Sequence, residues 1–125
     1  MSKRMAFSKT IPQMRGRTKT VTRRFGWWDG DTDEPRVQPG DIVLAIEKGM
    51  GLAKGERQKV LHPIEIISIR REPLGIIDAA DILREGFPGM SPDEFFRVLG
   101  GKPSDVVTRI EFRHLDTPEA RCSDQ

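Results

Sequence analysis

Ser91-Pro92-Asp93-Glu94-Phe95-Phe96-Arg97-Val98-Leu99-Gly100-Gly101 is the stretch on which the fold turns. Ser91 is an N-cap, Pro92 suits the first helical position, and Glu94 stands where a capping box closes. The glycine pair ends the helix. A second helical pattern precedes it. From Ile76 to Glu85, the residues Ile77, Ala80, Ile82 and Leu83 share a broad apolar side, with Gly86 as the C-terminal cap.

Both flanks of this helical pair read as strand. Val60 to Ile69 is rich in β-branched residues, with Ile64, Ile66 and Ile69 as core positions and a bulge expected near Pro63. Val106, Thr108, Ile110 and Phe112 alternate along one face of a final strand. Earlier in the chain, Met5-Ala6-Phe7 and Thr20 to Arg24 read as short strands, and Pro12 opens a helical turn. The Gln38-Pro39-Gly40-Asp41 turn launches a further strand, Ile42 to Ile46. Asp29 to Pro35 is a polar loop, and Gly49 to Gly55 is a glycine-rich connection. No regular βαβ alternation occurs. The expected architecture is α+β, with a mostly antiparallel sheet closing into a small barrel and two helices between strands.

The chain has 125 residues, 36% hydrophobic and 32% charged, which fits one soluble globular domain. That domain is expected over residues 1–115, with a polar tail at 116–125. No apolar run reaches the ~18 residues of a membrane helix. No secretory signal follows Met1, and the lone Cys122 has no internal disulfide partner, so a cytoplasmic protein is expected (host cytoplasm if phage-borne). His62 and His114 lie far apart in sequence, without Cys or His partners at ligand spacing, so no metal is expected. Walker A and nucleophile-elbow patterns are absent, and glycines 49, 51 and 55 miss the dinucleotide spacing, so no cofactor is expected.

Charge is distributed unevenly. The first acidic residue is Asp29; before it stand Lys3, Arg4, Lys9, Arg15, Arg17, Lys19, Arg23 and Arg24, in a chain of net charge +2. Such asymmetry steers anionic ligands. From Arg17 to Arg24 cations are interspersed with hydroxyls, a pairing that suits phosphate. Trp27 and Trp28 could stack a base, and on a strand they would face opposite ways.

Lys19-Thr20-Val21-Thr22-Arg23-Arg24, the Gln38 to Asp41 turn, Glu85-Gly86-Phe87 before Met90-Ser91-Pro92, and Val107 to Phe112 together resemble ASCH-domain proteins of the PUA-like superfamily. The resemblance runs in order from about Phe7 to Leu115, and is strongest to the short free-standing ASCH proteins of bacteria and phages. The family motif is Gly-x-Lys-x-x-Glu-x-Arg. Lys19 and Arg24 match it, Arg17 occupies the glycine position, and Thr22 replaces the glutamate. That replacement resembles a subgroup with Lys-x-x-Thr-x-Arg, amidohydrolases that remove an acyl group from the exocyclic amine of cytidine.

The resemblance implies two uses. One is binding of RNA, a nucleoside or a nucleotide in a basic cleft around Lys19, Thr22 and Arg24, with Arg17, Arg23 and Arg24 on phosphate and Trp27 or Trp28 on a base. The other is catalysis by Lys19, Thr22 and a downstream glutamate, by position Glu85, with Glu65, Glu72 and Glu111 as alternatives. Some ASCH relatives cleave RNA instead. Amide hydrolysis needs a nucleophile, a base and an acid. Lys19 and Thr22 are an odd number apart, so they converge only if Lys19 precedes the strand or lies at a bulge.

Overall fold

A computed structural model describes residues 3–47 and 59–115. The Gly49 to Gly55 connection and the 116–125 tail lie outside the described residues. The elements are β1 (Lys3–Ala6), α1 (Ile11–Arg15), β2 (Val21–Arg24), β3 (Trp28–Asp29), β4 (Glu34–Pro35), β5 (Ile42–Ile46), β6 (Val60–Pro73), α2 (Ala79–Arg84), α3 (Pro92–Leu99) and β7 (Val106–His114), with a 3-10 turn at Leu74–Ile76. The main sheet has the order β1-β5-β6-β7-β2. Only the β1–β5 pair is parallel. The sheet curls into a half-barrel, and the fold is α+β. Its two edges, β1 and β2, do not pair with each other, which leaves an open seam.

The core has two parts. Met5, Phe7, Met14, Val43, Ile64, Ile66, Ile110 and Phe112 fill the curl. Leu74, Ile77, Ile82, Phe95 and Val107 fill the space under α2 and α3. Strand β7 serves both, with Ile110 and Phe112 turned inward and Val107 turned to the helices. Of the face expected to hold Val106, Thr108, Ile110 and Phe112, the last three are buried and Val106 is exposed. Val107 is buried instead, because helices cover the outer face there.

The capping box at Ser91 and Glu94 forms as the sequence predicts, and Gly100 ends α3 with φ 81°. Helix α2 is shorter than its pattern. Asp78 caps it by accepting from the Asp81 amide at 2.8 Å, so the turns before it are 3-10 and extended. Isolated helices below ~12 residues are marginal in water, so tertiary packing must hold α2. Ile77 and Ile82 supply it, at about 1.5–3 kcal/mol for each buried side chain. Ala80 and Leu83 face outward, contrary to the apolar pattern. In β6 the register breaks at Leu61 against β5 and at Ile67 against β7, while Pro63 pairs regularly with Leu44.

Candidate active site

The end of α2 places the first candidate residue. Gly86 has φ 100°, in the left-handed region. Its N–H donates to Leu83 O at 2.9 Å, and the Phe87 N–H donates to Ile82 O at 3.2 Å. These two bonds make a Schellman motif, with Glu85 at the helix C-cap. Glu85 is therefore fixed by backbone geometry, and it is buried at the seam.

Lys19 and Thr22 come from the other side. The Thr20 N–H donates to Arg84 O at 2.8 Å, tying the loop before β2 to the end of α2. Since β2 begins at Val21, Lys19 stands outside the strand and escapes its alternation. Lys19 Nζ donates to Glu85 Oε1 at 2.9 Å and to Glu85 O at 2.8 Å. Thr22 lines the same cleft and makes no side-chain hydrogen bond among the described residues. The cleft holds about 280 Å³. Lys19, Thr22, Arg23, Arg24 and Glu85 are among its polar residues, and Phe7, Phe87, Phe95 and Leu99 among its apolar ones.

Burial pushes the Lys19 ammonium below its ordinary range; Glu85 opposes this, and Arg24 and Arg23 add to it. Burial pushes the Glu85 carboxyl up, against Lys19 and Arg23. Burial thus moves the two values toward each other.

Arg23 also lines the cleft, but its guanidinium is taken up by carboxylates. Its guanidinium donates to Glu72 at 2.7 Å, Asp81 at 2.5 Å and Glu85 at 3.3 Å, and the side chain is buried. Asp81 also accepts from Arg109 at 2.9 Å and Arg84 at 2.8 Å. Desolvation alone would raise Asp81, but these hydrogen bonds outweigh it and hold the carboxyl well below the carboxylate range. Arg24 bridges the seam. Its Nη2 donates to Ala6 O at 2.5 Å and its guanidinium lies 4.6 Å from the Phe7 ring centre. Burial lowers its pKa to about 10, although Glu85 opposes the shift.

The remaining predicted residues lie outside the cleft lining. Arg17 donates to Leu115 O at 3.0 Å. Trp28 donates to Asp33 at 3.1 Å, and Arg71 sits 5.8 Å from its ring. Trp27 packs partly on the core. Of the alternative glutamates, Glu72 belongs to the Arg23 network, Glu65 pairs with Arg113, and Glu111 accepts from Ser68.

Sequence reasoning missed a histidine relay. His62 and His114, 52 residues apart, meet at 2.6 Å between Nε2 and Nδ1. His114 Nε2 lies 2.6 Å from Lys19 O. A carbonyl only accepts, so His114 Nε2 carries a proton and its Nδ1 accepts from His62 Nε2–H. Strand register brings them together, and no spacing rule exposes it. Sequence reasoning also missed Asp81 and Arg109. A carboxylate on the otherwise apolar side of α2 was the available signal for Asp81.

No family model and no curated protein matches the chain. Solved structures do. An ASCH domain from Lactobacillus crispatus JV V101 aligns with a TM-score of 0.61 at 15% identity, over 90% of this chain and 79% of that one. The chain has the ASCH fold. A DUF984 protein from Enterococcus faecalis V583 aligns with a TM-score of 0.65 at 13% identity, over 93% of this chain and 81% of that one. At such identities the likeness is one of fold. In this ASCH fold the cleft opens where β1 and β2 leave the half-barrel unclosed. Among the described residues no cluster of three metal-ligating side chains occurs, and no helix is long and apolar enough to cross a membrane.

Proposed function

We propose that the protein is an amidohydrolase that removes the acyl group from an N-acylated cytidine. The observation that carries this reading is the buried 2.9 Å contact of Lys19 with Glu85 in the cleft wall that also holds Thr22. Fold likeness alone would not carry it.

The chemistry follows from the proton balance. With Lys19 as the free amine and Glu85 as the acid, Lys19 takes the Thr22 hydroxyl proton as Oγ1 attacks the acyl carbonyl carbon. Arg24, in the same wall, supplies positive charge for the oxyanion. The C–N bond then breaks, a proton passes to the cytidine amine, and an acyl ester remains on Thr22. Water, deprotonated by the same amine, cleaves that ester to carboxylate and restores the hydroxyl. Positioned proton transfer of this kind contributes about 100- to 10,000-fold.

Size also favours a small substrate. A volume of about 280 Å³ falls just below the usual ligand-pocket range of about 300–1,000 Å³ and suits a nucleoside rather than folded RNA. The binding-module reading draws less support in this cleft, since Arg23 and Arg24 spend donors on Glu72, Asp81, Glu85 and Ala6. Incubating the purified protein with N4-acetylcytidine and separating free cytidine tests the proposal. Turnover that drops about 100-fold or more in Lys19→Met and Glu85→Gln supports it. No turnover, with RNA affinity falling steeply with salt, would return the seam to a binding role.

A further inference from the structure

The seam has a second opening. It holds about 560 Å³ and is lined by Lys3, Arg4, Gly26, Trp27 and Arg36. Every ionisable residue in that lining is a cation. The walls are tied together: the Arg36 N–H donates to Trp27 O at 2.9 Å, and Lys3 Nζ donates to the Arg36 carbonyl. Asp29 feels Arg36, but its carboxylate accepts from its own hairpin, from the Asp31 amide at 2.9 Å and the Thr32 amide at 3.4 Å.

The two tryptophans divide here. Trp28 is committed to Asp33 and Arg71. Trp27 lines the basin, and its backbone has φ 72°, which a bulky aromatic rarely adopts. Strain of this kind concentrates at ligand sites. Cations beside a ring are what a phosphate next to a base requires.

Position connects the two openings. Lys3 and Arg4 begin β1, and Ala6, at its other end, lines the first cleft. Three residue steps lead from Lys3 to Ala6, roughly 10 Å at the rise of a strand. Arg24-Phe25 and Gly26-Trp27 border the two openings in the same order. We infer that the basin is a phosphate subsite, so that the substrate of the neighbouring cleft is a phosphorylated nucleoside, held by Lys3 and Arg36 beside the Trp27 ring. This rests on the hydrolytic reading of that cleft. The phosphate is either the 5′-monoester of a nucleotide or a diester of a strand.

The full chain with Trp28→Phe leaves Trp27 as the one tryptophan. Its emission is titrated with cytidine, cytidine 5′-monophosphate and a short oligocytidylate. The subsite predicts that the monophosphate binds at least about tenfold tighter than cytidine at low salt, that added salt erodes this gain, and that K3A/R36A abolishes it. Lys3 and Arg36 are both exposed, so the fold tolerates the change, and an unfolding curve checks it. A further gain with the oligocytidylate assigns the diester; its absence assigns the monoester. Equal binding of cytidine and its monophosphate, or undiminished monophosphate binding in K3A/R36A, overturns the inference. In turnover, the subsite lowers KM for N4-acetylcytidine 5′-monophosphate relative to N4-acetylcytidine, and K3A/R36A removes the difference. Quenching needs no turnover, so failure of hydrolysis and failure of the subsite are read separately.

Discussion

Burial pushes Lys19 down and Glu85 up, and removing either takes a buried partner from the other. Lys19→Met leaves Glu85 with Arg23 and Arg24 only; Glu85→Gln strands Lys19 among Arg23 and Arg24. Breaking such a pair costs about 3–5 kcal/mol, so denaturant unfolding of Glu85→Gln should show a loss of that order. The histidine relay carries its own pH signature. Burial, His114 and Arg17 hold His62 down to about 4, against an ordinary value of 6.5. Burial and Arg17 also lower His114, against the bond to Lys19 O. A depressed folded pKa contributes stability above the unfolded value and loses it as pH falls through the folded one. Stability should therefore decline from about pH 6.5 toward 4, and at the acid end of that window Glu72 and Asp81, held below their ordinary 4.5 and 3.8, add to the loss. Unfolding midpoints measured across that window should flatten in His62→Gln. An unchanged slope would remove the relay from the account.

At the scale of elements, the C-terminus of α2 is the piece that aims the site. A Cβ at Gly86 would lie 2.7 Å from Gln13 Cγ, on a backbone with φ +100°. Gly86→Ala should cost about 1–3 kcal/mol and slow hydrolysis further by shifting Glu85. Ser91→Ala, which removes the capping box of α3, should cost about 1 kcal/mol and leave cytidine release at the parent rate. Comparing the two variants separates a helix end that positions chemistry from one that only holds a helix. The same contrast explains what could be read from sequence. Ser91, Pro92 and Glu94 lie within four residues, so their bonds are local and legible. Asp81 lies in a helix whose pattern looks apolar, and its partners come from β2 and β7, so its burial follows only from the assembled fold. Val106 and Val107 exchanged places for a similar reason, since helical cover on the outer face of β7 leaves no trace in the alternation of that strand.

At the scale of the molecule, the half-barrel stays open along β1 and β2, and Arg24 is the side chain that crosses the opening. A hydrogen bond to a charged group contributes about 1.5–3 kcal/mol. Arg24→Met should therefore speed amide exchange in Met5 and Phe7 by tenfold or more, while the β6 and β7 amides keep their protection. The convergence of Lys19, Thr22 and Glu85 was legible only through a family motif. Strand parity alone argued against it, and the start of β2 at Val21 removes the objection. The direct measurement is cytidine release from N4-acetylcytidine by the parent, Thr22→Ser and Thr22→Val proteins side by side. The parent should turn over, the serine hydroxyl should support partial turnover, and valine none, with all three unfolding at similar denaturant concentrations. Valine turning over at the parent rate would contradict the hydrolytic role of Thr22.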